Sequence, residues 1–197
     1  MDITIDVSIG ELLDKLSILE LKKNIIKDEN KLIEIQKEIE VLMQYENIKN
    51  GNLFYYNILK WVNQQIWLFT DIIKSLKSLD TEFATISNKI FNYNQYRFRV
   101  KNMLNDKSSI KEQKSYAKDI IKIKVDHSSF YSNLEKINKL SVLHDQIVFY
   151  TEDSNLKDLI SGIYTTSNFV IANEYIETIY DIKDLIINEF NDTDIFI

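Results

Sequence analysis

The chain has no cysteine, no proline and only three glycines, at positions 10, 51 and 162. Without cysteine there is no disulfide framework, no thiolate nucleophile and no thiolate metal site, a composition that fits a reducing compartment. Without proline, nothing forces a kink into a helix. Three isolated glycines cannot build G-x-G-x-x-G or a P-loop, so the usual dinucleotide and nucleoside-triphosphate cradles are disfavoured, and no G-x-S-x-G nucleophile elbow is present. The two histidines, His127 and His144, fall in different element types, which argues against a histidine-based zinc site; no metal and no cofactor is expected. No apolar run approaches the roughly 20 residues that span a bilayer, and the start, Met1-Asp2-Ile3-Thr4-Ile5-Asp6, is acidic where a signal peptide is basic. The expectation is a cytoplasmic protein with no membrane span.

What the chain does have is a 45% hydrophobic, 27% charged composition over 197 residues, enough for one large domain or two small ones. Its net charge of -6 argues against a protein that grips nucleic-acid backbones. The charge is uneven: residues 1–118 carry 18 basic and 16 acidic side chains, or +2, whereas 119–197 carry 6 and 14, or -8. A local basic groove on the first part is compatible with that average, but nucleic acid is an unfavoured partner.

Hydrophobic spacing changes at the same place. Ile3, Ile5 and Val7 alternate like a short half-buried strand. Ser8 with Glu11 then forms a capping-box pattern, and Leu12, Leu13, Leu16 and Leu19 follow at helical spacing. Asp28-Glu29-Asn30 marks a break, Leu32, Ile35, Ile39 and Leu42 a second helix to about 46, and Asn47, Asn50, Gly51 and Asn52 a loop. A long aromatic helix is predicted over 53–79. A fourth, capped by Asp80 or Thr81, should close at Asn105 or Asp106. Beyond Lys118 short apolar runs at 120–125, 147–150, 169–171 and 195–197 read as strands, separated by amphipathic stretches at 130–143, 156–163 and 176–190. That alternation predicts a parallel sheet, with 147–150 and 169–171 as its central strands. The expected class is α+β: a helical hairpin bundle, 1–118, followed by a small parallel α/β (Rossmann-like) domain, 119–197, packed against it.

Three groups of residues bear chemistry. Glu11, Asp14, Lys15 and Glu20 share the first helix. Glu11 and Lys15 are four apart, the spacing of a surface ion pair that adds only about 0.3–0.5 kcal/mol, and a solvated face is the bland alternative. On the third and fourth helices Asn63, Trp67 and Asp71 form one stripe, and Asn94, Arg97 and Lys101 another. A stripe of Asn, Trp and Asp packs poorly unless its polar atoms are paired, since an unsatisfied buried group costs about 1–3 kcal/mol. The stripes therefore either line a pocket or face each other through a hydrogen-bonded network. Arginine occurs only at 97 and 99 beside 22 lysines, which points to use of the planar fork at Arg97 on a carboxylate or phosphate. The structural alternative is an Arg97–Asp71 salt bridge that sets helix register. The third group lies at predicted carboxyl ends of strands: Asp126, His127, Ser128 and Ser129, then Thr151, Glu152 and Asp153, then Asn173 and Glu174. Ser128 or Ser129 would cap the following helix, whose amino end suits a phosphate; ordinary caps and turns are the plainer reading.

Four patterns then carry a resemblance: Ser8-x-Gly10-Glu11-Leu12-x-Asp14-Lys15, Val62-Asn63-x-x-x-Trp67-x-x-x-Asp71, Asn94-x-x-Arg97-x-x-x-Lys101-x-x-x-Asn105, and Glu112-x-Lys114-Ser115-Tyr116. Together they resemble an uncharacterised bacterial family, a domain of unknown function, over the first 116 residues. Thr70 and Gln95 stand where that pattern has acids, Lys74 where it has arginine and Gln113 where it has a second glutamate. Members of that family often accompany glycosyltransferases and surface-polysaccharide genes, which implies a glycan or nucleotide-sugar context.

The resulting expectation is a protein that binds, or modifies in glycosyltransferase-like fashion, a phosphorylated sugar, nucleotide-sugar or glycan precursor. Trp67 would stack on a sugar ring, Arg97 and Lys101 would meet a phosphate, and Asn94, Glu112, Lys114 and Tyr116 would complete the site with Asp14 and Asp71 as orienting partners. The competing expectation is a non-catalytic adaptor or homo-oligomer that docks a protein partner through its helices.

Overall fold

In the computed structural model the described residues are 6–77, 81–105, 119–165, 168–172, 174 and 179–187. They hold eight helices and four strands in two compact units, with 6–105 in the first and 119–187 in the second.

The first unit is helical: α1 (Ile9–Ile25), α2 (Glu29–Met43), a single short turn of helix α3 (Glu46–Asn50), α4 (Leu53–Ser75) and α5 (Thr81–Leu104). Ser8 starts α1, its hydroxyl accepting from the Glu11 amide, and Asp28 starts α2 by accepting from the amides of Asn30 and Lys31. Buried Leu13, Leu16 and Leu19 turn α1 into the hub, which packs against α2, α4 and α5, while α4 and α5 pack on each other. From α4 come Tyr56, Leu59 and Val62, and from α5 Ile86, Val100 and Leu104, each at the three-and-four spacing of one buried stripe. The second helix, expected to reach about 46, ends at Met43, and most of the expected loop from Asn47 to Asn52 belongs to α3. Ile3 and Ile5 of the expected first strand lie outside the described residues, as does Asp80, and Asp6 and Val7 have no regular structure.

The second unit is a four-stranded parallel sheet, β1 (Ile120–Lys124), β2 (Gln146–Tyr150), β3 (Phe169–Ile171) and β4 (Tyr180–Asp181), in the order β3-β2-β1-β4. Its connections carry α6 (His127–Ser132), α7 (Leu134–Leu143) and α8 (Ser154–Ile163). Ile121, Ile123, Ile147 and Phe149 point to one face and are buried, along with Phe130 of α6, Ile137 and Leu140 of α7, and Leu156 and Ile160 of α8. Phe149 touches the rings of Phe130 and Phe169, with centroids 6.3 and 6.0 Å apart.

Three expectations for this unit are corrected. Stretch 130–143 is two helices, because α6 ends at Asn133, whose side chain bonds the Ser129 carbonyl. Within the stretch expected to be helix at 176–190, residues 180–181 form β4 and a turn follows; the expected strand at 195–197 lies outside the described residues. The central strands are β1 and β2, not β2 and β3: three-residue β3 sits at an edge, and Lys122 and Lys124 disguise β1 because only its other face is buried.

Candidate functional site

Arg97 and Lys101 of α5, and Asn105 just past its end, succeed one another at one-turn spacing along the face that meets the first turns of α1. They form a ladder. Arg97 donates from Nε to both oxygens of Asp14, at 2.9 and 3.1 Å, and from Nη2 to Oδ2. Lys101 Nζ meets Glu11 Oε1 at 2.5 Å. Asn105 Oδ1 accepts from the Gly10 amide at 2.6 Å. Gly10 is required here by proximity, since a Cβ would sit 2.6 Å from the Lys101 carbonyl oxygen and 2.8 Å from Asn105 Oδ1.

α4 adds the third side. Asn63, itself buried, donates to Asp14 Oδ1 at 2.9 Å and to Ser17 Oγ at 2.8 Å, and Ser17 donates to the Asp14 carbonyl oxygen. Asp14 is thus a buried carboxylate held by a guanidinium fork and a carboxamide, the pairing that makes a buried charge tolerable. The arginine's partner is Asp14; Asp71 is bound by Lys74 at 2.9 Å on the exposed side of α4. The expected alternative of an Arg97–Asp71 salt bridge is therefore corrected in its partner.

Beside this network lies an open cleft of about 220 Å³ lined by Ile18, Leu21, Asn63, Ile66, Trp67, Thr70, Asp71, Lys74 and Arg97. It brings together four expected site residues, Asn63, Trp67, Asp71 and Arg97, around the half-buried indole. Among the described residues no hydrogen bond or ring contact engages Trp67. Ile18, Leu21 and Ile66 were not expected, and Thr70 and Lys74 were noted only as departures from the family pattern, not as site residues. For Ile66, Thr70 and Lys74 the available signal was their position one turn apart beside Asn63, Trp67 and Asp71.

Other expected residues lie elsewhere. Lys15 is exposed and pairs with Glu38 of α2 at 2.8 Å, not with Glu11, because Glu11 is taken by Lys101. Asn94 is exposed and donates to the Ile90 carbonyl of its own helix. Glu20 belongs to a separate cluster, with Lys49 at 2.7 Å and Lys60 at 3.3 Å. Burial pushes the Glu20 carboxyl up, but the hydrogen bond and charge of Lys49, with Tyr56 and Lys60, outweigh it and hold the group below its ordinary value. Burial, reinforced by the Glu20 charge, pushes the Tyr56 phenol well above its ordinary range. Glu112, Lys114 and Tyr116 lie outside the described residues.

In the strand-end group, Asp126 and Asp153 are helix caps. Asp126, not Ser128 or Ser129, caps α6: its carboxylate accepts from the Ser129 amide and the Ser129 hydroxyl accepts from the Asp126 amide. Lys183 Nζ binds the same carboxylate at 2.7 Å, and these hydrogen bonds hold its pKa down at about 2. His127 Nε2 lies 3.0 Å from Asp153, which caps α8, and Ser128 is exposed. Asn173 lies outside the described residues. Among the described residues no group of three or more His, Asp or Glu side chains could hold a metal ion, and no helix is long and apolar enough to cross a membrane.

The ladder and the cleft wall are built from the Ser-x-Gly-Glu, Asn-x-x-x-Trp and Asn-x-x-Arg patterns, and a model described as a family of unknown function, DUF6165, matches residues 3–135. The chain belongs to this family. The DUF6165 match runs beyond residue 116, where the resemblance was expected to end, and takes in β1 and α6. The description of DUF6165 names no activity and no glycan connection, so the polysaccharide context rests on the resemblance alone. No curated protein and no solved structure matches the chain.

Proposed function

We propose that the helical unit binds one sugar unit of a phosphorylated or nucleotide-linked glycan precursor in the Trp67 cleft. The observation that carries this reading is the unengaged indole of Trp67 beside Asn63, Thr70, Asp71 and Arg97. An aromatic face suits the C–H face of a sugar, and amide, carboxylate and guanidinium groups suit its ring hydroxyls. At about 220 Å³ the cleft is smaller than the roughly 300–1,000 Å³ of drug-sized pockets, which favours a single ring over a whole nucleotide-sugar inside it. The Rossmann-like reading of the sheet unit belongs to the same proposal, supported by its parallel strands in the order β3-β2-β1-β4.

The test is a thermal-shift series on the full chain with hexoses, hexose 1-phosphates and nucleotide-sugars, repeated with Trp67→Ala. Hexose-bearing ligands should raise the melting temperature of the wild type and leave Trp67→Ala unmoved. A response that is absent, or equal in the variant, sinks the proposal. The adaptor reading draws support from the exposed side chains of Leu68 on α4 and Phe91 on α5. Self-association that Leu68→Ser abolishes would favour it.

A further inference from the structure

Among the described residues the sheet has two edges, β3 and β4, and they differ in kind. β4 is two residues long and carries Asp181, with Lys183 just beyond, the charge by which edges resist pairing. β3 has no such guard. Phe169, Val170 and Ile171 hold neither charge nor proline, and Val170 is 39% exposed.

The register with β2 fixes which backbone groups of β3 are already bonded. Asn168 accepts from the Ile147 amide and Ala172 donates to the Phe149 carbonyl, both at 2.8 Å, so residues 168, 170 and 172 turn their N–H and C=O groups toward β2. Phe169 and Ile171 turn theirs outward. Among the described residues nothing bonds those outward groups. Beside them, between β3 and the end of α8, runs an open groove of about 370 Å³ lined by Ile160, Ser161, Tyr164, Thr165, Phe169 and Ile171, none of them charged.

Outward N–H and C=O groups at alternate residues are the complement of another extended backbone. We infer that this edge pairs with β3 of a second copy of the chain, antiparallel about a two-fold axis at Val170. The hydrogen-bond pattern is self-complementary, since Phe169 of one copy then lies opposite Ile171 of the other and each such pair exchanges both of its bonds. Charge selects the same occupant: residues 119–197 carry 6 basic and 14 acidic side chains, yet the groove is neutral and gives a charged peptide no anchor, whereas a second neutral edge matches it. The helices fit as well. A crossover helix lies over the gap between the strands it joins, so α8 and its mate would stand two strand spacings apart, about 10 Å, the distance of packed helices. A three-residue strand and one helix end cover less than the roughly 800 Å² per partner of a standard interface, so the association is weak, of micromolar order. The dimer does not use the Trp67 cleft and stands or falls apart from the sugar-binding reading.

The experiment is analytical ultracentrifugation of the full chain from about 10 μM to about 1 mM, with amide exchange at both ends of that range, for wild type, Ile171→Pro, Ser161→Trp and Leu68→Ser. Proline at 171 removes an outward N–H and leaves the ladder to β2 intact, and tryptophan at 161 fills the groove from the exposed side of α8. Wild type should pass from monomer to dimer, the dissociation constant should rise at least about tenfold in Ile171→Pro and in Ser161→Trp, and Leu68→Ser should match wild type. The Phe169 and Ile171 amides should gain protection with concentration, while that of Val170, which faces β2, should not depend on it. A wild type that stays monomeric overturns the inference, as does dimerisation that Leu68→Ser abolishes or that Ile171→Pro or Ser161→Trp leaves unchanged. Protection of the Phe169 and Ile171 amides in the monomer equally overturns it, since something other than a second copy then covers the edge. Because Ser161 is exposed, its variant decides the outcome where Ile171→Pro fails to fold.

Discussion

The two units bury polar groups in opposite ways. In the helical unit the buried Asp14, Asn63, Lys101 and Asn105 are joined across 49 to 95 residues of sequence. In the sheet unit the buried Ser129 and Thr151 bond partners two or three residues away, and the core around them is aliphatic and aromatic. Local polar bonds shape a helix end. Distant ones specify which helix meets which and in what register, because a slip of α5 along α1 would leave Asp14 and Gly10 without their partners. A network of that kind is also the more exposed to single substitutions, since each member depends on a residue far away in the chain.

The sharpest way to break the comparison is Arg97→Ala, which strands the Asp14 carboxylate in the interior. It should lower the stability of the helical unit by roughly 3–5 kcal/mol, and replacing Asp14 and Arg97 together by leucine should recover much of the loss. Both tryptophans, Trp61 and Trp67, lie on α4, so denaturant titration followed by tryptophan fluorescence reads this unit separately. A loss below about 1 kcal/mol would put the pair among surface-type bridges and remove the contrast. The glycines provide a second, smaller contrast. Gly10→Ala meets backbone at 2.6 Å and should destabilise by roughly 1–3 kcal/mol. Gly162→Ala in α8 meets nothing within 4 Å and should stabilise by about 0.4–1 kcal/mol, so the two alanines shift melting in opposite directions.

The smallest effect is on acidification, and here the units should behave alike. Asp126 in the sheet unit is held at about 2, below its ordinary 3.8, and Glu20 in the helical unit is also held below its ordinary value. A lowered carboxyl pKa contributes stability that is present above the unfolded value and is lost as pH falls through the folded one. Between about pH 4 and pH 2 the protection factor of the Ser129 amide, its exchange rate relative to the intrinsic rate at each pH, should therefore fall, and it should stay constant across that window in Asp126→Asn.

Periodicity made α1, α2, α4 and α5 legible, because a buried stripe at three-and-four spacing needs no knowledge of its neighbour. Strand β3 was legible as the short apolar run Phe169-Val170-Ile171, yet its place at the sheet edge was not, since hydrophobicity alone does not give strand order. The candidate site follows this division. Asn63, Trp67 and Asp71 could be assigned to one face from spacing. That Arg97 would choose Asp14, 83 residues away, over Asp71 depends on which helices pack, and no local signal encodes it. Lys15 misled for the same reason, because its four-residue spacing from Glu11 is satisfied on paper while Lys101 and Glu38 compete for the two groups in space.

The strand order carries a consequence for the birth of the molecule. Strand β1 is made before both of its neighbours: Ile121 waits 26 residues for Ile147 and Ile123 waits 57 for Tyr180. At ordinary rates of synthesis, about 5–20 residues per second, the second wait is on the order of several seconds. Throughout that interval β1 is an open edge at the ribosome, able to pair with any other nascent strand. Lys122 and Lys124 put charge on alternate positions of that edge, the placement by which natural strands resist premature pairing. The two lysines that hide the central place of β1 thus guard the chain while its sheet is still incomplete.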